Sequence, residues 1–546
     1  MAAGEIFFLL AIFFIYAGWP TPDVNESHYL SKAKHYWNPD WAAGDFFCES
    51  ADAHQMFYWT CGWLTLLLPL SAVAWIGRLL TWTLLAWSWR RLSMACVPKA
   101  GCAVLSGTLM LCLLDRCQMA GEWIVGGFEA KGFAYVLVFL GIEALLRGRW
   151  RRVWPLLGAA AAFHVLVGGW MVLAAGVAWL LSKSDRPTLR SMLGPLALGL
   201  LLALPGLLPA LLLTLRVDDP EIVREANFHY VFHRLKHHLV FTSWFAKWPG
   251  WSPESWSSAP PGSLRKILSV FSFAGMVAVW AGLSYVCRGE QRFRLLRNIT
   301  LGTLLIAGCG IAIDLATQGD HHFAASILRY YWFRMSDAML PIATALLAVH
   351  LISRLVAARR SWGTAAVAVA MLACGWVLAD VAMERRENMR ARSEKPKRIV
   401  NVADWHDVCR WATENSEPGD VFLTPRSSQT FRWHTGRAEV VNQKDIPQDA
   451  ESIVEWWNRL DEIHRYEGAK GRRRWHESLA EMDLDHLIGV CNKYQARYII
   501  TRAEPALPLG KLPPGKLQRV YENRSYAVYE KIDAESAAPA GGGDGA

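Results

Sequence analysis

The stretch FFLLAIFFIYAGWPTPDVNESHY, residues 7–29, decides the fold class of this chain. Its first part, Phe7–Trp19, is almost wholly apolar, and a polar segment with two carboxylates, Asp23 and Glu26, follows. An apolar run of this kind carries a chain into a hydrocarbon layer, and the carboxylates mark the place where it returns to water. No basic residues precede the run and no A-x-A-like site follows it, so we interpret it as a retained span rather than a signal peptide.

The composition of the whole chain indicates a polytopic membrane protein. Of its 546 residues, 53% are hydrophobic, only 19% are charged, and 28 are tryptophan. Apolar runs of about 20 residues recur along the chain, and a helix of that length crosses a hydrocarbon core of roughly 30 Å. The pattern predicts eleven transmembrane helices at about 4–19, 70–89, 101–115, 129–146, 154–166, 168–182, 192–214, 267–287, 298–316, 337–356 and 362–382.

The topology depends on the apolar run 154–182. We interpret this run as two short helices that meet at Gly168 and Gly169; one long tilted helix is the alternative, and it would reverse every later loop. With eleven spans and the N-terminus inside, the predicted inside loops contain seventeen Lys and Arg, whereas the short outside loops contain six. The positive-inside rule therefore favours the split and places the C-terminal region outside. The net charge of +9 then reflects topology rather than nucleic-acid binding.

The composition changes after Met383. A charged linker, 384–398, leads to an extracytoplasmic α/β domain, 399–533, and then to a disordered tail, 534–546. The predicted elements of this domain are strands at 421–423, 439–441 and 498–500, helices at 403–413, 450–460 and 484–494, and a hairpin of 517–521 with 526–531. Cys409 and Cys491 can form a disulfide there. The transmembrane domain, 1–383, has outside loops at 20–69, 116–128, 215–266 and 317–336.

Acidic and aromatic residues alternate in the first outside loop. Asp23 and Glu26 are three residues apart, which puts them on one face if the segment is helical. Further along, Asp52 and His54 precede the aromatic run Met56–Trp59. An aromatic cluster at a membrane interface is ordinary anchoring, whereas interleaved acidic residues indicate a functional loop.

The motifs of this loop resemble those of the GT-C membrane glycosyltransferases. The segments Asn25-Glu26-Ser27-His28-Tyr29, Gly44-Asp45-Phe46-Phe47 and His54-Gln55-Met56-Phe57-Tyr58-Trp59 follow the family order Asp-Glu-x-x-Tyr, Gly-Asp-Trp and Pro-Pro-Leu-Phe-Tyr-Trp. They are most similar to the branch that contains the protein mannosyltransferases and the lipid A aminoarabinose transferase. Asn25 stands where the family has Asp, often its catalytic base, and His54-Gln55 replaces Pro-Pro.

The resemblance implies an inverting hexosyl or pentosyl transfer in the bacterial inner membrane. The donor would be a sugar linked to polyprenyl phosphate and the acceptor a lipid, a glycan or a protein. Such a reaction needs a carboxylate to deprotonate the acceptor, for which Asp23 and Glu26 are candidates, and cations for the leaving phosphate. His28, Tyr29, Asp52 and His54 are expected to contact substrate.

Two other outside loops carry candidates for the phosphate. Glu129 and Lys131 lie beside a Gly-Gly pair that permits close approach of the backbone. Arg329 and Arg334 flank an aromatic segment, and the fork of a guanidinium suits phosphate oxygens. The alternatives are interfacial snorkelling of Lys131, and anchoring or pairing with Asp337 for the two arginines.

Histidine spacing raises the question of a metal. His229, His233 and His237 repeat every four residues, but no carboxylate completes a recognisable site, so we predict an amphipathic surface helix over 228–239. No cofactor is certain, and a divalent cation is possible. The alternatives to a transferase are a transporter of lipid-linked sugars and a non-catalytic membrane relative of the GT-C enzymes; a transporter more often places its charges in the middle of its spans.

Overall fold

The chain folds into two compact units. The structure is a computed structural model and describes residues 2–183, 186–245, 261–359, 361–391, 401–468, 472–511 and 516–532. The helical unit comprises Met1–Asp23, Asp52–Thr60 and Ala74–Glu384, and the sheet unit comprises Val24–Ala51, Cys61–Val73 and Arg385–Ala546. Most of the first predicted loop therefore belongs to the sheet unit, together with the C-terminal part of the chain.

Helices account for nearly all of the helical unit. Each of the eleven predicted spans falls on a helix, and two short surface helices, Pro220–Phe228 and His321–Leu328, accompany them. The longer helices are Ala2–Ala17, Leu70–Cys96, Cys102–Arg116, Ala130–Leu146, Trp150–Phe163, Val165–Leu181, Leu189–Leu215, Pro261–Val286, Gln291–Ala316, Arg334–Ala357 and Ser361–Ala391.

Within the described residues, six helices are long and apolar enough to cross a membrane. They are Leu70–Cys96, Leu189–Leu215, Ile267–Val286, Gln291–Ala316, Arg334–Ala357 and Ser361–Glu387. Two further apolar helices, Ala2–Ala17 and Val165–Leu181, are shorter. The chain is an integral membrane protein, and the count of eleven spans stays a prediction.

The apolar run 154–182 is broken, as the loop charges favoured, but the break lies at His164 rather than at Gly168. The helix Trp150–Phe163 ends there and Val165–Leu181 begins. The two helices pack closely, because a Cβ on Gly168 would lie 2.1 Å from the backbone nitrogen of Ala161. The glycine is thus needed for close packing, while the histidine provides the extended residue at the turn.

A five-stranded mixed sheet forms the centre of the sheet unit. The strands described in the unit, including two outside this sheet, are β1 (Val421–Leu423), β2 (Ala438–Glu439), β3 (Arg465–Gly468), β4 (Arg472–Trp475), β5 (Ala496–Arg502), β6 (Leu517–Glu522) and β7 (Tyr526–Lys531). The sheet order is β2-β1-β5-β7-β6, with β1 parallel to β2 and β5, and β7 antiparallel to β5 and β6. The predicted strands 421–423 and 498–500 and the predicted hairpin lie in this sheet, whereas of the predicted strand 439–441 only Glu439 does. The separate hairpin of β3 and β4 was not predicted.

Several helices of the sheet unit begin at side-chain caps. Asn401, Asp449 and Asp483 accept hydrogen bonds from backbone N–H groups of the first turn. The unit contains the helices Glu26–Trp37, Phe46–Glu49, Leu64–Leu67, Val402–Asn415, Phe431–Thr435, Ala450–His464 and Leu484–Lys493. Trp405, Phe422 and Tyr498 are part of its buried apolar core.

Several predictions for the outer segments are corrected. The charged linker begins as helix, since Ser361–Ala391 continues through Glu384, and its Arg, Glu, Met and Ala residues are good helix formers. Cys409 and Cys491 are buried free thiols. The segment 228–239 is not one α-helix: Pro220–Phe228 is followed by a π-helix, His229–Arg234. The rest of the linker and the predicted tail lie outside the described residues.

Two neighbouring glycines provide a test of the helix pair. In Gly168→Ala the new methyl group overlaps the backbone of Ala161, so we expect a loss of stability of about 1–3 kcal/mol. In Gly169→Ala the methyl group enters open space, and helix propensity gains up to about 1 kcal/mol. Thermal unfolding of the purified protein in detergent measures both. Equal effects at the two positions would contradict the close packing at Gly168.

Candidate functional site

A buried group of charged side chains lies in the helical unit where two helices begin. Lys131 is in the first turn of Ala130–Leu146, and Arg334 begins Arg334–Ala357. Glu122 joins them: its Oε1 is 3.1 Å from Lys131 Nζ and its Oε2 is 3.0 Å from Arg334 Nε. We call Glu122, Glu129, Lys131, His164 and Arg334 the Glu122 cluster. The carboxylate of Glu122 bridges the two cations.

The backbone before Glu122 is fixed by one side chain. The buried Asp337 carboxylate accepts hydrogen bonds from the N–H groups of Met119, Ala120 and Gly121, at 2.9, 2.7 and 2.9 Å. Consecutive N–H groups that converge on one anion form an anion-binding nest, here filled by the protein itself. Gly121 has a φ of +84°, a conformation that glycine adopts readily. Asp337 therefore sets the position from which Glu122 reaches the cations.

Trp123 completes the surroundings of Lys131. The Lys131 ammonium lies 3.4 Å from the centre of the indole, and the indole N–H donates to Glu129 Oε1 at 2.7 Å. Glu129 Oε1 is also 3.9 Å from Lys131 Nζ. An ammonium held by an aromatic face and two carboxylates is confined to one position, because each contact favours the same location of the charge.

A pair of histidines extends the cluster. His54 Nδ1 is 2.8 Å from Asp52 Oδ1, so the carboxylate accepts the proton of Nδ1. The His54 ring lies 5.9 Å from the ring of His164, whose Nε2 is 3.0 Å from Arg334 Nη1. Since arginine only donates, Nε2 of His164 is the acceptor. Contacts thus run from Asp52 through both histidines to Arg334.

The cluster combines groups that can bind an anion with groups that can accept a proton. Lys131 faces the carboxylates of Glu122 and Glu129, and Arg334 faces that of Glu122, in a buried setting where electrostatic interactions are strong. In the part of the chain that the structure describes, no group of three or more His, Cys, Asp or Glu is arranged to hold a metal ion.

A second buried network lies within the sheet unit. The Arg432 guanidinium contacts three carboxylates: Asp45 at 3.1 Å, Glu439 at 2.7 Å and Asp445 at 3.2 Å. All four side chains are at most 1% exposed. We call them the Arg432 network. Asn442 donates to both Glu439 and Asp445, which satisfies further oxygen atoms.

The carboxylates of the Arg432 network differ in acidity. Burial raises the pKa of Glu439 to about 6; Arg432 opposes this shift, and the Asp45 charge adds to it. Burial also acts to raise the pKa of Asp445, but the Arg432 charge and the hydrogen bond with His28 outweigh it and lower the value to about 2. Glu439 therefore gains a proton more easily than Asp445.

The first-loop candidates of the sheet unit are near this network. His28 Nδ1 is 3.5 Å from Asp445 Oδ1. Asn25, at the position of the family Asp, accepts a hydrogen bond from Lys444 Nζ at 3.0 Å. Glu26 begins the helix Glu26–Trp37 with a fully buried side chain, and Tyr29 is buried in the same helix. The amide of Asn25 thus holds a lysine of the C-terminal part of the chain.

The predicted site residues fall into separate groups. Glu129, Lys131 and Arg334 meet in the Glu122 cluster, with Asp52 and His54 beside it. Arg329 lies apart from this cluster's contacts, since it donates to Asn227 and faces the ring of Tyr230. His28 contacts the Arg432 network. Asp23 is half-buried in an irregular segment of the helical unit.

Some central residues were not predicted. Glu122 lies within the predicted outside loop 116–128 and Asp337 is a possible partner of Arg329 and Arg334, but neither these two residues nor His164 is predicted as a site residue. The available signal was an acidic residue next to Gly121 in an outside loop. Arg432 and its carboxylates had no such signal, because Asp45 and Arg432 are far apart in the sequence.

Comparison with known proteins gives one short family match and several similar structures. Residues 403–463 match a domain of unknown function (DUF6798). No curated protein matches the chain. The apo crystal structure of the Archaeoglobus fulgidus oligosaccharyltransferase has a TM-score of 0.48 and 13% identity, over 92% of this chain and 69% of that one. The oligosaccharyltransferase AglB from the same organism, in complex with an inhibitory peptide and a dolichol-phosphate, has a TM-score of 0.46 and 10% identity, with the same coverage. Similarities at this level assign no activity.

The Arg432 network predicts a large effect of one substitution. Arg432→Met leaves three buried carboxylates without their cation, so we expect the sheet unit to lose about 3–5 kcal/mol. Arg497→Met is the matched control: Arg497 is 46% exposed and pairs with Asp420 and Glu530, contacts typically worth about 0–1 kcal/mol. Unfolding of the full chain in urea, monitored by protease cleavage within the sheet unit, measures the loss of stability in both variants. Equal losses would contradict the role of Arg432.

Glu439 predicts a dependence of stability on pH. Its pKa in the folded protein, about 6, is above its ordinary value of 4.5, so the folded state binds the proton more tightly than the unfolded state. Stability from this group is fully present below pH 4.5 and is lost as the pH rises through 6. In Glu439→Gln this loss is absent. Thermal unfolding at several pH values from 4.5 to 7.5 should show a smaller decline for the variant than for the native chain; identical slopes would contradict the assignment.

Proposed function

We propose that this protein is a GT-C-type membrane glycosyltransferase that uses a polyprenyl-phosphate-linked sugar. The main support is the Glu122 cluster, in which Lys131 and Arg334 are held with carboxylates among apolar helices. Ionisable groups are costly in such surroundings and usually mark a path for charged substrates. A lipid-linked phosphate is such a substrate, since its charge must be bound close to the hydrocarbon that holds its tail.

The cations are assigned to the leaving group. In the proposed reaction an acceptor hydroxyl attacks the anomeric carbon with inversion, the bond from that carbon to the phosphate oxygen breaks, and the electron pair leaves on the phosphate. Lys131 and Arg334 would stabilise this developing negative charge. Both are in the first turn of a helix, where the helix dipole also favours an anion. Arg329 is not assigned to the leaving phosphate, because its contacts are with Asn227 and Tyr230 rather than with the Glu122 cluster.

The hydroxyl proton needs a base, and the first loop offers two carboxylates. Glu26 is fully buried, whereas Asp23 is half-buried in a segment without regular structure. A base must come within hydrogen-bond distance of the acceptor, so accessibility favours Asp23. Asn25 cannot act as the base, because its side chain is an amide, which accepts a hydrogen bond from Lys444. Asp52 and His54 would contact substrate from beside the cluster.

The setting of the reaction follows from the loop charges. The positive-inside rule favours an extracytoplasmic position of the first loop and the C-terminal part, and the resemblance to GT-C enzymes favours a bacterial inner membrane. In this proposal the transmembrane domain spans 1–383 and an outer domain spans 399–533. The acceptor is a lipid, a glycan or a protein. The first-loop motifs favour the branch of protein mannosyltransferases and the lipid A aminoarabinose transferase.

Removing the proposed base should nearly abolish transfer. In membranes that contain the full chain and labelled polyprenyl-phosphate sugars, we expect Asp23→Asn to lower the transfer rate by about 10²–10⁴-fold, with a smaller effect of Glu26→Gln. Glu221→Gln is the control, because Glu221 is an exposed acid whose neutralisation touches only a surface pair with Arg224. The measurement is incorporation of label into the acceptor fraction.

Two results would contradict the proposal. Unchanged transfer in both Asp23→Asn and Glu26→Gln would remove the first-loop base. Transport of labelled donor across vesicles by the native chain, without incorporation from any donor, would favour a transporter instead.

A further inference from the structure

One carboxylate in the Glu122 cluster occupies the position expected of a substrate oxyanion. The two oxygens of Glu122 are divided between two cations, with Oε1 at 3.1 Å from Lys131 Nζ and Oε2 at 3.0 Å from Arg334 Nε. A phosphate that binds Lys131 and Arg334 together would place two of its oxygens in the same way. The carboxylate and such a phosphate therefore compete for one place.

The cations and the carboxylate differ in how they are held. Lys131 and Arg334 are in the first turns of helices of 17 and 24 residues, so their backbones are fixed by helical hydrogen bonds. Glu122 lies in the segment 117–129, which has neither helix nor strand. Because Asp337 holds the backbone before Glu122, the movement that separates the ion pairs is a rotation of the Glu122 side chain. The helix N-termini also attract an anion after the carboxylate has left.

The contacts of Glu122 are closer to those of a replaceable counter-ion than of a fixed structural pair. Arg334 Nε is near Glu122 but makes no hydrogen bond of good geometry with any residue that the structure describes. Besides its ion pair with Lys131, the Glu122 carboxylate accepts a hydrogen bond from the Tyr135 hydroxyl, which is 3.1 Å from Oε1. A tetrahedral phosphate has more oxygens than a carboxylate and can align one with Nε.

We infer that Glu122 is an internal substitute for the phosphate group: it fills the anion site in the substrate-free protein and is displaced when a phosphate ester binds Lys131 and Arg334. This inference rests on the proposed function, because the same two cations are assigned there to the leaving phosphate. Glu122 keeps the cations paired and the site closed to weaker anions. The ligand class is a phosphate monoester or diester, either free or on a lipid.

Neutralising Glu122 should strengthen phosphate binding. For the purified full chain in detergent, we expect Glu122→Gln to lower the Kd for polyprenyl monophosphate by about tenfold or more, since a charged competitor is removed. Tyr135→Phe should shift the Kd in the same direction by less, because it only loosens the hold on Oε1. Lys131→Gln should raise the Kd strongly. Titration with inorganic phosphate in parallel separates the contribution of the phosphate from that of the lipid.

Glu143→Gln is the matched control. Glu143 is also a buried, ion-paired carboxylate of the helical unit, with Arg91 and Arg147 as its partners. Its loss should affect stability in a comparable way and leave phosphate binding unchanged. Thermal unfolding without phosphate shows whether each variant is folded. Thermal unfolding with phosphate is a second test of binding: phosphate should stabilise Glu122→Gln more than it stabilises the native chain.

The possible failures are distinguishable. If Glu122→Gln and Tyr135→Phe bind phosphate no better than the native chain while Lys131→Gln binds it weakly, Glu122 is not a substitute for phosphate, yet the assignment of the cations stands. If Lys131→Gln and Arg334→Gln bind phosphate as well as the native chain, both the inference and the proposed assignment of the leaving group fail.

Discussion

The sheet unit depends on one buried guanidinium. Arg432 meets Asp45, Glu439 and Asp445, and its partners come from parts of the sequence almost 390 residues apart. A buried charge is tolerated only when it is paired. Separation of the segment that carries Asp45 from Arg432 would break one of these buried ion pairs and is therefore unfavourable. This constraint explains why Val24–Ala51 belongs to the same compact unit as the C-terminal part of the chain. The motif Gly44-Asp45-Phe46-Phe47 thereby acquires a structural purpose: Asp45 caps a short helix and also binds Arg432.

The first outside loop is divided between the two units. Val24–Ala51 belongs to the sheet unit, while Asp52–Thr60 belongs to the helical unit. The residues of the loop therefore contact different groups of side chains. His28 and Asn25 contact residues of the sheet unit, Asp445 and Lys444, whereas His54 contributes to the polar chain that reaches Arg334.

Much of the fold could be predicted from local pattern. Apolar runs located every long helix of the helical unit, and short strand-like segments located β1, β5 and the hairpin of β6 and β7, because burial selects apolar residues at those positions. The position of the helix break was missed, since a histidine in an extended conformation leaves no hydropathy signal. The hairpin of β3 and β4 was missed because its Arg-rich strands do not alternate with apolar residues. Lys131 and Arg334 could be found from charge at the ends of spans. Glu122 and Arg432 depend on contacts between distant segments, which no local pattern records.

The nest around Asp337 has a mechanical consequence. Asp337 lies one turn after Arg334 on the same helix, and it holds the backbone of Met119, Ala120 and Gly121 directly before Glu122. The loop and Arg334 are therefore both attached to the helix Arg334–Ala357, while Lys131 belongs to the helix Ala130–Leu146. A rotation or shift of the helix Arg334–Ala357 moves the arginine and the loop together and alters their distance to the lysine. The separation of the two helix ends is thus one determinant of the width of the anion site.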